Sequence, residues 1–187
     1  FYVGNTMIDT LIKNKPRFTK PPIWDKLNLK NKEFIVMTLH RPANVDQGIK
    51  LKHMMNQIIE NSHESQLIFP VHPRTRKIMD KLDVDHPRLN MVDPMGYLEF
   101  NYLVSKSLAV ITDSGGITEE ATVMGIPCLT LRDNTERPEG VDAGFAKIIG
   151  TNILDNFEWA NSNYKWNGEN PYGQGHAAKK IIKSLGI

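Results

Sequence analysis

The chain has 187 residues, slightly more than a usual single domain, so one domain is expected and a minimal two-domain arrangement is the alternative. Hydrophobic residues make up 40% of it and charged residues 24%, which excludes a compositionally disordered chain. The net charge of +2 gives no electrostatic reason to expect a nucleic acid partner, and no apolar stretch approaches the ~20 residues that a membrane helix requires.

The cysteine content points to a reducing compartment. Cys128 is the single cysteine, so an internal disulfide is excluded and a cytoplasmic location is expected. It lies in the apolar run 126–131, and free thiols in such runs are usually buried. We therefore predict a structural cysteine rather than a nucleophile.

The chain opens with a turn and a short amphipathic helix over residues 3–12, followed by a basic connector. Residues 13–32 hold seven lysines and arginines against one acidic residue, with three prolines. A solvated connector is the simpler interpretation, and a surface that touches phosphates through this basic run is the alternative. We assign residues 1–32 to an entry helix and connector, and residues 33–187 to the main domain.

From residue 34 onward, apolar strand-like runs alternate with helical segments. Strands are predicted over residues 34–39, 66–71, 89–92, 108–112, 128–131 and 145–149. Helices are predicted over residues 51–59, 74–82, 97–106 and 116–124, near residue 137, and over residues 175–185. Because this alternation is typical of βαβ units, we predict an α/β fold with a Rossmann-like, doubly wound parallel sheet.

Such sheets bind ligands beyond the carboxyl ends of their strands, and four predicted strand ends carry polar side chains. These residues are His40, Arg41 and Asn44 after the first strand, His72 and Arg74 after the second, 113–116 after the fourth and 132–139 after the fifth. Two histidines at equivalent junctions, each close to an arginine, leave a catalytic and a structural role both open.

The segment after the fourth strand has the layout of an anion-binding helix start. Ser114, Gly115 and Gly116 come directly before a helical segment, so small residues allow a ligand to approach free backbone amides at the positive end of the helix dipole. The Ser114 hydroxyl adds a donor. Since the dinucleotide fingerprint and the Walker lysine are both missing, NAD and ATP are disfavoured as ligands.

Two further features of this region suit a nucleoside diphosphate. Glu119 and Glu120 are adjacent in the sequence, so only one of them can readily face a ligand. A carboxylate in the first turn of a helix can accept hydrogen bonds from two vicinal hydroxyls of that ligand. Complementation of the helix dipole is the alternative explanation. Pro138 suits the first turn of a helix, which places Arg137 at the N-terminus of that helix, where its guanidinium can bind a diphosphate. An exposed loop with ion pairs is the alternative interpretation of this segment.

Together these motifs resemble the C-terminal half of the non-hydrolysing UDP-N-acetylglucosamine 2-epimerases. The resemblance covers nearly the whole chain and includes a Ser-Gly-Gly block followed by a Thr-Glu-Arg-Pro-Glu block. The matching segments are 4–9, 39–44, 71–73, 112–120, 131–139 and 170–177.

The resemblance implies one half of a GT-B architecture, in which two Rossmann-like domains hold a UDP-sugar between them. It implies interconversion of UDP-GlcNAc and UDP-ManNAc through elimination and re-addition of UDP. The product would serve as a precursor for cell-surface polysaccharide. It also implies a homodimer for the full-length form and a reaction without a redox cofactor. No metal-ligand spacing is visible, and neither a nucleic acid nor a membrane is an expected partner.

The resemblance also implies roles for particular residues. Ser114, Gly115 and Gly116 would hold the diphosphate with help from Arg137, and Glu120 would bind the ribose. The segment from Met95 to Phe100 would frame the uracil. His40 would act at the reacting end as the catalytic group, and Arg41 and His72 would line the same cleft.

The sequence departs from the family pattern in two respects. Pro42 and Ala43 replace an arginine and a glutamate that commonly follow the His-Arg pair, and Thr118 stands where glutamine is usual. In addition, the family's acid and base carboxylates lie in an N-terminal domain outside this sequence. We therefore expect these 187 residues alone to bind UDP weakly and to catalyse no epimerisation.

Other functions remain open from the sequence. A hydrolysing 2-epimerase or a GT-B glycosyltransferase would place a UDP-sugar against a similar domain. A non-catalytic nucleotide-binding module is the alternative of a different class.

Overall fold

The computed structural model describes residues 1–135, 138–144, 146–150, 159 and 170–186. Six strands in this part of the chain form one parallel sheet: β1 (Phe34–Thr38), β2 (Gln66–Pro70), β3 (Leu89–Val92), β4 (Ala109–Thr112), β5 (Cys128–Thr130) and β6 (Ala146–Ile148). Their spatial order is β3-β2-β1-β4-β5-β6, the order of a Rossmann sheet. The predicted fold class is confirmed.

Helices alternate with these strands, and the short helices over residues 23–26 and 42–45 are additional to those that the sequence predicts. The helices are α1 (Thr6–Asn14), α2 (Ile23–Lys26), α3 (Pro42–Val45), α4 (Gly48–Asn61), α5 (Pro73–Leu82), α6 (Tyr97–Lys106), α7 (Gly115–Val123), α8 (Pro138–Asp142) and α9 (Ala177–Ser184). The last helix begins two residues later than predicted because Gly175 has a φ of +83°, outside the helical region. Phe145, the predicted start of the sixth strand, lies outside the described residues.

The central strands are mainly apolar because both faces of the sheet are covered. Ile35 and Met37 point to one face, where α4 and α5 pack, whereas Phe34 and Val36 point to the other, where α6 and α7 pack. Cys128 lies fully buried in the second of these clusters, and desolvation raises the pKa of its thiol to about 11. The prediction of a structural cysteine is confirmed.

The first 32 residues lie against the domain through apolar side chains, while the basic side chains of the connector are exposed. The Trp24 ring meets Phe34 and Tyr102 edge-on, with centroid distances of 5.7 and 5.5 Å. In α1, Ile8 and Leu11 are buried against Tyr172. Within the described part of the chain, every helix is too short or too polar to span a lipid bilayer.

The two ends of the chain are joined by what we call the terminal clasp, formed by residues 4–9 and 170–178. The Asn5 amide donates to the Tyr172 carbonyl at 2.9 Å, and the carboxylate of Asp9 accepts from the amides of Ala177 and Ala178 at 2.9 and 2.8 Å. Gly4 has a φ of +88°, and a Cβ there would lie 3.0 Å from the Tyr172 oxygen. The first and last motifs of the sequence are therefore neighbours in space.

Candidate functional site

The four polar junctions of the sequence belong to four adjacent strands. β2, β1, β4 and β5 are consecutive in the sheet, so their carboxyl ends meet along one edge. The strand order reverses between β1 and β4, whose Thr38 and Thr112 side chains hydrogen-bond at 2.6 Å. This is the switch point at which doubly wound sheets open a ligand crevice.

A buried carboxylate, that of Asp113, organises the switch point. It is 0% exposed and accepts hydrogen bonds from the backbone amides of His40 and Arg41, at 3.2 and 2.9 Å, and from the Asn44 side chain at 3.1 Å. The Arg41 Nε donates in turn to the Asp113 carbonyl at 2.9 Å. The β1 loop is thus held against β4. Sequence reasoning gave Asp113 no role, although its position directly after a buried strand was a visible signal.

The two histidines of the site are held in different ways. The Nδ1 of His40 lies 2.8 Å from the Asp113 Oδ1, while its side chain is 62% exposed. The Nδ1 of His72 instead accepts from the Arg74 amide at 3.4 Å, so His72 caps α5. Arg74 is turned toward Asp46, with an N–O distance of 2.9 Å. The Nδ1 of His72 is therefore used to cap a helix, whereas the contact of His40 with Asp113 orients an imidazole that stays exposed.

Ser114 is the N-cap of α7. Its hydroxyl oxygen accepts from the Ile117 amide at 3.5 Å, and its own amide donates to the Thr112 hydroxyl at 3.0 Å. Gly115 and Gly116 follow in the first turn, where amides have no acceptor within the helix. A Cβ on Gly116 would lie 2.8 Å from the Met7 methyl, so close packing of α1 also favours glycine there.

The two glutamates of α7 are buried, and they lie in its second turn. The expectation of a first-turn carboxylate is wrong because the helix begins at Gly115, and its first turn holds no acidic residue. Dipole complementation therefore does not explain them. Glu119 is fully buried and accepts from the Asn5 side-chain amide, which ties α7 to the terminal clasp.

Glu120 is 6% exposed and accepts from the Tyr97 hydroxyl at 2.8 Å. Desolvation raises the pKa of its carboxyl, with a contribution from the Glu119 charge, against the opposing hydrogen bonds of Tyr97 and Asn101. Burial and the same hydrogen bond raise the pKa of Tyr97. Sequence reasoning missed Tyr97 and Asn101 as partners of this carboxylate, since contacts between two helices leave no trace in local spacing.

The Tyr97–Glu120 hydrogen bond brings the segment from Met95 to Phe100 beside α7. Met95 and Phe100 are half-buried and pack against the cluster on that face of the sheet. Gly96 is the N-cap of α6, and its carbonyl accepts from the Phe100 amide at 2.9 Å. The segment predicted to frame a base thus adjoins the carboxylate predicted to bind a ribose.

The segment after β5 is described only in part. Arg132 is 9% exposed, and α8 begins at Pro138 as the sequence predicts. Arg137, the predicted diphosphate ligand, lies outside the described residues. Within the described ranges, no group of three or more His, Cys, Asp or Glu side chains could hold a metal ion.

Comparison with known families gives a match over residues 1–186, to the family described as UDP-N-acetylglucosamine 2-epimerase. A UDP-N-acetylglucosamine 2-epimerase of Methanococcus maripaludis is 38% identical over 195 residues, which cover 96% of this chain and 52% of that relative. The chain thus spans about half the length of the curated relatives it matches.

Solved structures of similar proteins superimpose on the described fold. The UDP-GlcNAc 2-epimerase of Methanocaldococcus jannaschii, in complex with UDP-GlcNAc and UDP, has a TM-score of 0.85 at 34% identity, over 100% of this chain and 54% of that one. The Neisseria meningitidis enzyme, bound to UDP-GlcNAc, has a TM-score of 0.81 at 35% identity, over 98% and 54% of the two chains.

Proposed function

The chain belongs to the UDP-N-acetylglucosamine 2-epimerase family, and we propose that it is the UDP-binding half of an enzyme that interconverts UDP-GlcNAc and UDP-ManNAc. The observation that carries the proposal is the Ser114-capped start of α7, which lies at the switch point of the sheet. We assign nucleotide binding to residues 33–187, and catalysis to their combination with the other half of a GT-B architecture.

The diphosphate binds at the first turn of α7. The amides of Gly115 and Gly116 point out of the helix start, and the helix dipole favours an anion there. The Ser114 oxygen accepts from the Ile117 amide, so its hydroxyl hydrogen is free to donate to a phosphate oxygen. Arg137 adds a second donor that suits phosphate geometry.

The uridine binds along α6 and α7. Glu120 accepts hydrogen bonds from the ribose hydroxyls, and the residues from Met95 to Phe100 frame the uracil. Support comes from the 2.8 Å hydrogen bond between Tyr97 and Glu120, which holds these two segments together. Arg41 and His72 line the same crevice from β1 and β2.

His40 acts where the bond to UDP breaks. A base removes the C2 proton, the bond between C1 and the diphosphate oxygen breaks with its electron pair on UDP, and 2-acetamidoglucal forms. UDP and a proton then add back with the opposite configuration at C2. In its protonated form, the His40 imidazole donates a hydrogen bond to the departing diphosphate, and the base comes from the half of the relatives that this chain does not span.

The placement of the diphosphate is tested with Ser114→Asp, which keeps an N-cap acceptor but puts a negative charge at the helix start. Calorimetric titration should show UDP binding weakened by roughly 10- to 100-fold, the range expected for a charged hydrogen bond. Uridine, which has no phosphate, is the matched ligand and should bind as it does to the unchanged chain. Unchanged UDP affinity, or equal losses for UDP and uridine, would overturn the placement.

A further inference from the structure

The tautomer of a histidine follows from the group that its Nδ1 faces. The His40 Nδ1 faces a carboxylate oxygen of Asp113 at 2.8 Å, and a carboxylate can only accept. The Nδ1 atoms of His72 and His86 face the backbone amides of Arg74 and Arg88, which can only donate. Neutral His40 therefore carries its hydrogen on Nδ1, while the other two carry theirs on Nε2.

We propose that Asp113 is a positioning residue that holds the His40 imidazole in the Nδ1–H tautomer, with Nε2 directed to the reacting end of the site. The inference rests on the proposed function only in the role it gives to Nε2. The tautomer itself depends on the contacts of Asp113 alone.

The carboxylate is suited to this role because it is immobile. Its Oδ2 accepts from the Arg41 amide and the Asn44 side chain, and its Oδ1 lies 3.2 Å from the His40 amide as well as 2.8 Å from the imidazole. Since Asp113 is fully buried, rotation would leave several donors without an acceptor. The imidazole thus takes its orientation from β4.

The exposed side of the ring follows from the same geometry. Nδ1 points inward to a buried carboxylate, so Nε2 lies on the outward side of a ring that is 62% exposed. Neutral His40 presents a lone pair there, and protonated His40 presents an N–H while Asp113 keeps a charge-assisted bond to Nδ1. An aspartate that orients a catalytic histidine in this way is established for Ser-His-Asp triads.

The variant Asp113→Asn makes the inference testable, because the backbone dictates how its carboxamide turns. The Arg41 amide, 2.9 Å from Oδ2, requires the carboxamide oxygen at that position, where the oxygen can also accept from the His40 amide at 3.2 Å. The NH₂ group then faces the His40 Nδ1 and forces that nitrogen to accept. The variant should therefore shift His40 to the Nε2–H tautomer.

The experiment is ¹⁵N NMR of the 187-residue chain with labelled histidines, at a pH where His40 is neutral. In the unchanged chain, the ¹⁵N chemical shifts should identify Nδ1 as the protonated ring nitrogen of His40. His72 and His86, which serve as internal references, should show the opposite pattern, with Nε2 protonated. In Asp113→Asn, the His40 pattern should reverse to match theirs. An Nε2–H tautomer for His40 in the unchanged chain, or an unreversed pattern in the variant, would overturn the inference.

The variant Asn44→Ala distinguishes the positioning of the His40 imidazole by Asp113 from the general stabilisation of the loop that follows β1. It removes another hydrogen bond to the same carboxylate without touching the imidazole, so it should lower Tm and leave the His40 tautomer unchanged. Reversal in this variant as well would overturn the specific role of Asp113. If Asp113→Asn does not fold, the unchanged chain still decides, since its ¹⁵N chemical shifts must identify Nδ1 as the protonated ring nitrogen of neutral His40. None of these outcomes depends on UDP binding, so the proposed function fails or stands separately.

Discussion

Glu120 shows at the scale of one residue how a proposed ligand contact and stability can oppose each other. Its carboxylate is almost fully buried on α7, and desolvation raises its pKa despite the Tyr97 hydrogen bond. A raised carboxyl pKa means that folding disfavours the charged form, so the ionised group lowers stability at neutral pH. Such a costly charge is typical of a side chain that serves a ligand rather than the fold.

The variant Glu120→Gln should therefore be more stable but bind uridine less well. At pH 7 its Tm should exceed that of the unchanged chain, because the buried charge is gone. The gain should shrink as pH falls through the raised pKa of folded Glu120, and it should vanish below the ordinary carboxyl pKa, where Glu120 is neutral in both the folded and unfolded states. The affinity for uridine should fall by about tenfold, as expected when a charged acceptor is lost.

Glu119→Gln is the matched control for that prediction. Glu119 adjoins Glu120, but its carboxylate accepts from the Asn5 side chain in the terminal clasp. The control should leave uridine affinity unchanged. The assignment of Glu120 would be contradicted by equal affinity losses in both variants, or by a lower Tm at pH 7 for Glu120→Gln. Thermal melts from pH 7 to about pH 4 and calorimetric titrations provide these measurements.

At the scale of elements, the terminal clasp explains why two distant motifs belong together. The Asp9 carboxylate, on α1, accepts from the first two amides of α9, 168 and 169 residues away. Desolvation acts to raise its pKa, but the amides of Ala178 and Ala177 and the charge of His176 outweigh it, so the pKa of Asp9 is lowered. The charged form is thus favoured by folding, and it stabilises the clasp at neutral pH.

The variant Asp9→Asn should lose this stabilisation. Asparagine keeps one acceptor oxygen but loses the charge and the acceptor for the second amide, which costs about 1 kcal/mol and, for a chain of this length, lowers Tm by roughly 2–4 °C at pH 7. Because the folded pKa is lowered, the contribution is complete above the ordinary aspartate pKa and disappears as pH falls through the lowered one. The difference between the two melting curves should therefore narrow toward acid pH.

Asp25→Asn is the control for Asp9→Asn. Asp25 pairs with Lys20 at 2.8 Å, but its side chain is 70% exposed, and such surface pairs contribute little. At pH 7, the change in Tm caused by Asp25→Asn should be smaller than the change caused by Asp9→Asn. Equal Tm changes for the two variants, or a difference for Asp9→Asn that does not depend on pH, would contradict the capping role.

The elements themselves were largely predictable, whereas the contacts between them were not. The continuous apolar runs predicted all six strands, and β3 and α6 have the predicted bounds, because buried parallel strands and amphipathic helices leave local patterns. The burial of Glu119 and the position of Asp113 depend on residues more than 70 positions away. Local patterns pointed to both segments, as a polar strand end and as a helix start, but they carry no information about which distant residues these side chains contact.

At the scale of the whole molecule, the strand order concentrates the candidate site at one edge of the sheet. The neighbouring positions of β1 and β4 place His40 and Ser114 at adjacent strand ends, although 74 residues separate them. The sequence predicted this edge correctly because parallel strands end on the same side. In the proposed function this edge is one wall of a site, since the chain spans 54% of the Methanocaldococcus jannaschii relative, which was solved with UDP-GlcNAc and UDP.

This incomplete wall leads to a prediction about partial reactions. Removal of the C2 proton requires a positioned base, and the carboxylates on the described wall are held by other contacts: Asp113 by the β1 loop, Glu119 by Asn5 and Glu120 by Tyr97. We therefore expect the 187-residue chain to bind UDP-GlcNAc without exchanging its C2 hydrogen. Proton NMR of UDP-GlcNAc in D₂O detects such exchange even when no product accumulates.

The comparison enzyme for this experiment is the full-length Methanocaldococcus jannaschii relative, which should exchange the C2 hydrogen under the same conditions. The 187-residue chain should leave the C2 signal undiminished. As a control for binding, UDP added to the sample should displace UDP-GlcNAc, which shows that UDP-GlcNAc occupied the site. Loss of the C2 signal with the chain alone would mean that a base lies within these residues. The division of labour between the two halves would then be wrong, even if the diphosphate binds at Ser114.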